Sequence, residues 1–436
     1  MIHYMAIKLL VYIEIRGNDI YVGSINGNNV NDAVFQYDRD YVLSKDSRAI
    51  SIALPLKEDA FDVKSTRIFF EGLLPEGFTR KCVANKLHAQ EDDYLSILSG
   101  LGGECLGAIK ILSEDNKSVN ASYVKLSKQE VKDFAREGAT KSADLVTKAH
   151  LSLAGASGKV GLYYNAISDE WFLPTGTAPS THIVKQSHVR LKKIVANERL
   201  CLLAARNLGI DVPDSFVVKT SMQDDEEVLF ATERYDRFFD KTCNELDGLR
   251  IPYRLHQEDF SQALGILPAD KYEKNNAGYL KKMFELLRNY SANPIEDQMK
   301  LWDITIFNFL IGNTDNHIKN VSLLYSDDLK SIRLAPAYDI ISTMIYQSST
   351  ENMSLAIDGV YDIRKIDREA FAREAQNIGI GVNMAMRRFD KMLNEFADSI
   401  EKASEMLERE GMPYIHEIKE NILHRQPIFN LRKGFL

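Results

Sequence analysis

A capped helix that runs straight into a polar loop constrains this chain more than any other feature. Asn293-Pro294 puts a cap residue before a proline at the first helical position. Glu296 and Asp297 fall in the first turn, where the helix dipole favours negative charge. Met299, Trp302, Ile306, Phe309 and Leu310 form an apolar side, and Gly312 ends the helix. The loop Gly312-Asn313-Thr314-Asp315-Asn316-His317-Ile318-Lys319-Asn320 follows at once. Strand text at Val321–Tyr325 and Ile332–Leu334 then leads to Ala337-Tyr338-Asp339.

Helix, a loop with an Asp and an Asn five residues on, a hairpin and then an Asp is the layout of a kinase catalytic loop followed by its metal-binding aspartate. The chemistry accounts for the residue types. Asp315 is placed to orient an attacking hydroxyl or accept its proton, and Asn320 and Asp339 offer hard oxygens of the kind Mg²⁺ takes. Taken alone, Asp315 and Asn320 read better as turn residues, and the hairpin with Asp339 gives the pair its weight. His317, in so polar a loop, reads as a hydrogen-bond partner before it reads as a base.

Such a loop requires a strand-rich lobe upstream. Leu151-Ser152-Leu153-Ala154-Gly155-Ala156-Ser157-Gly158-Lys159-Val160-Gly161 is small enough in side chains for backbone N–H groups to approach phosphate oxygens. Its spacing is neither a Walker P-loop nor a dinucleotide fingerprint, and an ordinary hairpin is the plain alternative. Lys185 ends the strand His182-Ile183-Val184, where a kinase places its phosphate-pairing lysine, and Glu198 on the next helix is a candidate ion-pair partner. Thr232-Glu233-Arg234-Tyr235 follows the lobe's last strand, the place for an adenine-binding connection.

Composition limits what else the chain can be. Against 54 Lys+Arg stand 62 Asp+Glu, a formal charge of −8 over 436 residues, so the broad basic surface of an autonomous nucleic-acid binder is missing. Four scattered cysteines without a Cys-x-x-Cys pair argue against a disulfide framework or structural zinc. Lys8 and Glu14 break the N-terminal apolar run, and no stretch approaches the ~20 apolar residues of a membrane span, so a cytoplasmic protein is expected. Along the chain, strand text opens residues 1 to about 115, helical text begins at Phe69, and Gly100-Leu101-Gly102-Gly103 and Gly107 close the unit before a strand at Ala108–Leu112. A helix is expected near Asn197–Asn207, and more at Ala370–Gly379 and Asn383–Leu407.

In their order these segments resemble the HipA-like serine/threonine kinases, the toxin components of HipBA-type toxin–antitoxin modules. Phe70-Glu71-Gly72-Leu73-Leu74-Pro75 is similar to the signature of that family's N-terminal domain. Ser152-Leu153-Ala154-Gly155-Ala156, His182-Ile183-Val184-Lys185, Glu233-Arg234-Tyr235-Asp236-Arg237, Thr314–Asn320 and Tyr338-Asp339-Ile340-Ile341-Ser342 are similar to its kinase motifs. The resemblance spans nearly the whole chain. It implies an α+β, bilobal protein-kinase-like fold: an N-terminal α+β subdomain over 1–115, a strand-rich nucleotide lobe over 116–235 and a mainly helical C-lobe over 236–436.

It also implies a serine/threonine protein kinase that uses ATP and Mg²⁺. The partners it implies are a HipB-like helix-turn-helix antitoxin that carries most of the operator DNA recognition, and a protein substrate. The family's best-known substrate is an aminoacyl-tRNA ligase, the glutamate enzyme. By the resemblance Asp315 is catalytic, and Asn320 and Asp339 bind metal. Ala154, Gly155, Ala156, Ser157, Gly158, Lys159 and Lys185 attend the phosphates, Glu233, Arg234 and Tyr235 face adenine, and His317, Lys319 and Tyr338 complete the nucleotide site. Ser152 matches the family's autophosphorylated serine, whose modification adds about −1.5 to −2 charges and switches the kinase off. Where the family loop reads Ala-Gly-Ala-Gln, this chain has Ser157-Gly158, which makes Ser157 a second candidate acceptor. Two other readings stay open: a small-molecule phosphotransferase resembling the aminoglycoside kinases, which leaves residues 1–115 unexplained, and a catalytically silent ATP-binding subunit of an antitoxin–DNA complex.

Overall fold

The computed structural model describes residues 7–114, 120–137, 139–149, 153, 158–186, 191–220, 228–412 and 414–424. They form two compact units: Met1–His188, Val218–Pro268 and Leu324–Ser331 in one, Val189–Val217, Ala269–Leu323 and Ile332–Leu436 in the other.

The first unit holds a four-stranded antiparallel sheet and most of a six-stranded one. In the former, β1 (Ile7–Ile15), β2 (Asn18–Gly27), β3 (Val34–Tyr37) and β4 (Ile109–Ser113) stand in the order β3-β2-β1-β4. β1 and β2 are joined by Arg16 and Gly17, both at positive φ (50° and 78°), the two-residue turn whose twist matches a hairpin. Val11, Ile13, Val22, Ile25 and Phe35 are fully buried. Phe35 lies against Phe70 at 5.2 Å between ring centroids and Phe61 at 6.0 Å. Phe70 comes from a helix over Val63–Gly72, six residues earlier than the apolar text suggested, because the Asp62 side chain caps it through the Ser65 N–H.

The second sheet runs β5-β7-β6-β8-β10-β9, with β5 (Ser122–Lys125), β6 (Lys159–Asn165), β7 (Glu170–Thr175), β8 (His182–Gln186), β9 (Ser215–Lys219) and β10 (Val228–Glu233). Between β5 and β6 in the chain are helices Lys128–Glu137 and Ala139–Ala149, which the apolar pattern did not announce.

Helices dominate the second unit. The helix expected after Asn293 spans Pro294–Ile311 and ends at Gly312 in the left-handed conformation (φ 72°). One detail differs. Asn293 does not cap it with its side chain but donates to Glu296 at 2.6 Å. Asp297 takes the structural role in the first turn, accepting from Ser291, from both Arg333 Nε and Nη2, and from the Leu334 N–H. Trp302, Phe307 and Phe309 are buried with Phe371, Phe389 and Phe396 of the helices Arg368–Asn377 and Val382–Arg409. The Trp302 indole N–H donates to the Ala385 carbonyl at 3.0 Å. No helix among the described residues is long and apolar enough to cross a membrane.

Candidate active site

The polar loop after Gly312 is held almost entirely by amides and hydroxyls. The Gly312 carbonyl accepts from the Thr343 and Met344 N–H groups and from the Thr343 hydroxyl. That hydroxyl oxygen in turn accepts from the Thr314 N–H at 2.8 Å. Asn313 donates its amide to Asn308 at 2.7 Å and accepts from the Asp315 N–H at 3.1 Å. The Asp315 carbonyl accepts from the His317 N–H and from Asn320 Nδ2 at 3.0 Å. Thus the backbone of the catalytic candidate is pinned from three sides while its carboxylate stays half-buried.

With its Nδ2 spent on Asp315, Asn320 keeps a defined orientation, and no described residue donates to its Oδ1. Asp339 sits at φ 56°, a left-handed backbone that Asp tolerates better than most residues. Tyr338, next to it, donates to the Lys319 carbonyl at 3.0 Å and shares a 2.6 Å bond with Ser322, tying the strand pair back to the loop. An amide oxygen and a carboxylate are the donor types that Mg²⁺ accepts beside substrate phosphates, so these residues fit the metal. His317 is buried, with its ring edge-on to Tyr272 at 5.1 Å. Lys319 is buried as well.

Sequence reasoning missed the groups that hold this loop. Asn197, on the helix Ile194–Asn207, exchanges two hydrogen bonds with the Ser342 backbone, at 2.9 and 3.0 Å. Tyr272 donates its hydroxyl to Asp315 Oδ1 at 2.7 Å. Asp315, Tyr272, Thr314, Thr343, Asn352, Ser354 and neighbouring residues line a cleft of about 950 Å³. Only an Asn and a Tyr in otherwise ordinary text could have signalled these partners, and nothing local marks them.

In the first unit, Lys185 is buried on β8, paired in register with Lys159 of β6 and Phe230 of β10. Its ammonium is 5.7 Å from the Phe230 ring centroid. Gly158 faces the end of the Gln186 side chain, which would have to swing aside for a Cβ there. His182 on the same strand is buried, and burial pushes its pKa down to about 4. Glu198 is buried in the second unit's helix Ile194–Asn207. Ser152, Ala154, Gly155, Ala156 and Ser157 lie outside the described residues.

Glu233 ends β10 with an exposed side chain, and Tyr235 hydrogen-bonds Gln257. Arg234 behaves otherwise. Its guanidinium is fully buried, with Glu104 at 3.0 Å, Asp236 at 2.8 Å and the Ser180 hydroxyl at 3.0 Å. Arg237 joins at 2.6 Å from Glu104, and Asp236 accepts from the Gly107 N–H at 2.7 Å. Burial works to raise both carboxyls, but the neighbouring guanidiniums hold Glu104 and Asp236 below the usual carboxylate range. Its backbone is engaged as well: the Arg234 N–H donates to the Thr181 carbonyl at 2.9 Å and the carbonyl accepts from the Arg237 N–H at 3.1 Å.

Residues 151–404 match the model of the HipA-like C-terminal domain, and residues 13–112 that of the HipA N-terminal domain. The Sinorhizobium fredii protein named "Putative kinase Y4mE" is 32% identical over 88% of this chain and 90% of its own. The serine/threonine-protein kinase toxin HipA of Shewanella oneidensis is 22% identical over 97% of this chain and 96% of its own. The HipA chain in a solved complex of Shewanella oneidensis HipA, HipB and operator DNA superposes with a TM-score of 0.78, at 21% identity, over 97% of both chains. Fold and matches together define an α+β protein of the kinase class. The chain belongs to the HipA-like family.

Proposed function

We propose that the protein is a HipA-type toxin kinase that transfers the γ-phosphate of ATP to a serine or threonine hydroxyl of a protein. The observation that carries this reading is the loop Gly312–Asn320. It fixes the backbone of Asp315 by neutral hydrogen bonds, one of them from the Asn320 amide. Asp315 orients the acceptor hydroxyl and takes its proton. Asn320 and Asp339 hold Mg²⁺, which when bound neutralises charge on the phosphates. Lys185 meets the phosphates, and the segment Glu233-Arg234-Tyr235 faces adenine.

The same reading assigns residues 1–115 to the family's N-terminal subdomain, 116–235 to the nucleotide lobe and 236–436 to the catalytic lobe. Ser152 becomes the site of an inactivating autophosphorylation. A HipB-like antitoxin is the partner, by analogy with the Shewanella complex of HipA, HipB and operator DNA. An aminoacyl-tRNA ligase is the substrate class, and the compartment is the cytoplasm.

Asp315→Asn is the direct test. Transfer of labelled phosphate from Mg-ATP should fall by about 10²- to 10⁴-fold, the usual worth of a positioned proton acceptor. Nucleotide binding, read by ligand-dependent thermal stabilisation, should persist. Undiminished transfer by the variant would remove the assignment.

A further inference from the structure

Asp315 is held by more than its own loop. Tyr272, forty-three residues upstream, donates its hydroxyl to Asp315 Oδ1 at 2.7 Å. Its ring is fixed edge-on by His317 and lies under the Lys271 ammonium, 5.3 Å from the ring centroid. Glu273 anchors the next position. Its backbone N–H donates to the Ser354 carbonyl at 2.9 Å, and its buried carboxylate accepts from the Gly278 N–H at 2.6 Å and the Ala356 N–H at 2.9 Å. Ser354 returns to the catalytic loop, donating its N–H at 3.1 Å and its hydroxyl at 2.7 Å to the Thr314 carbonyl.

The bonds therefore close a ring: Thr314 to Ser354, Ser354 to Glu273, Glu273 through the chain to Tyr272, and Tyr272 to the Asp315 carboxylate. A lone tyrosine that is 41% exposed contributes little order by itself. A tyrosine whose backbone is pinned beside the residue preceding Asp315 holds that carboxylate in one place.

We infer that Tyr272 is a positioning residue for phosphoryl transfer, fixing the Asp315 carboxylate on the wall of the 950 Å³ cleft through which the acceptor hydroxyl arrives. The inference rests on Asp315 being the proton acceptor. In the step, the acceptor oxygen bonds to the γ-phosphorus as the bond to the β,γ-bridging oxygen breaks. ADP leaves with that electron pair, and the acceptor proton passes to Asp315. A carboxylate already tethered by one charge-assisted bond loses less orientational freedom when the acceptor docks.

The test compares the full chain with Tyr272→Phe, which keeps the ring and removes only the hydroxyl. Phosphate transfer from γ-labelled Mg-ATP is followed with casein and the Asp315→Asn chain as acceptors. The expected result is a kcat about tenfold lower, the scale of one hydrogen bond to a charged group, with KM for ATP and Tm unchanged. An unchanged kcat overturns the inference. So does a kcat that falls only together with Tm and ATP affinity, because that marks a packing role. If the unaltered chain transfers phosphate and Asp315→Asn does not, while Tyr272→Phe matches the unaltered chain, only the role of Tyr272 fails. If the unaltered chain transfers nothing, the kinase reading fails and takes this inference with it.

Discussion

Two polar clusters in this protein are built of opposite materials. Around Arg234, guanidiniums and carboxylates are packed together with essentially no exposure: Arg234 and Arg237 against Glu104 and Asp236, with Arg254 against Glu14 close by. Around Asp315, amides and hydroxyls of Asn308, Asn313, Thr314, Thr343 and Ser354 do the holding. The first arrangement makes a backbone segment expensive to move, since every broken pair strands a charge in low dielectric. The second positions a loop just as definitely but leaves the Asp315 carboxylate at the rim of a cleft. Buried charge suits a frame, and neutral hydrogen bonds suit a support whose charge must act on something else.

Removing one member from each cluster separates the two designs. Glu104→Ala leaves Arg234 and Arg237 short of a counter-charge and should cost about 3–5 kcal/mol, read as a large fall in the denaturation midpoint. A loss under about 1 kcal/mol would mean that water or Asp236 compensates, and the frame interpretation would have to go. Thr343→Val keeps the volume but removes the hydroxyl that serves both the Gly312 carbonyl and the Thr314 N–H. That change should cost about 1–3 kcal/mol and lower kcat through the loop. Stability lost with kcat intact would show that the loop does not transmit the defect to Asp315.

A pH-dependent effect sharpens the contrast from inside the first unit. Glu258 is a buried carboxyl with neutral donors only: Ser51 at 2.6 Å, Tyr325 at 2.5 Å and the Ile52 N–H at 3.0 Å. Burial outweighs these donors and pushes its pKa up to about 7, whereas Glu104 among guanidiniums goes down. The folded state thus keeps a proton that the unfolded chain gives up near its ordinary value of about 4.3. Its stabilising contribution is complete below that value and disappears as pH rises through about 7. Glu258→Gln should abolish this slope, at most about 1.4 kcal/mol per pH unit, in Tm curves recorded between pH 4 and 8. Parallel curves for the two proteins would contradict the explanation.

The sequence was most readable where its signals were local. Pro294 and Gly312 bracket the central helix, and the strands Ser322–Tyr325 and Ile332–Leu334 stand where the strand text puts them, because such signals act within a few residues. The polar loop was recognisable by residue type for the same reason. Its supports were not. Tyr272 meets Asp315 across 43 residues, Asn197 meets Ser342 across 145, and Glu104 meets Arg234 across 130. In the sequence Glu104 is one letter in a glycine-rich stretch, and Arg234 stands out only by its position after a strand. Its buried guanidinium is a fact of tertiary packing that no spacing rule contains.

The backbone of Asp339 carries a consequence for anyone who would improve this protein in the laboratory. A glycine would occupy φ 56° without the conformational cost of about 1 kcal/mol that a side chain incurs there. A library sorted only for survival on heating would therefore enrich the glycine variant and discard an oxygen that glycine cannot replace. On the metal-holding role proposed for Asp339, robustness and chemistry pull in opposite directions at that one codon, and a screen that rewards the first alone selects for an inert chain.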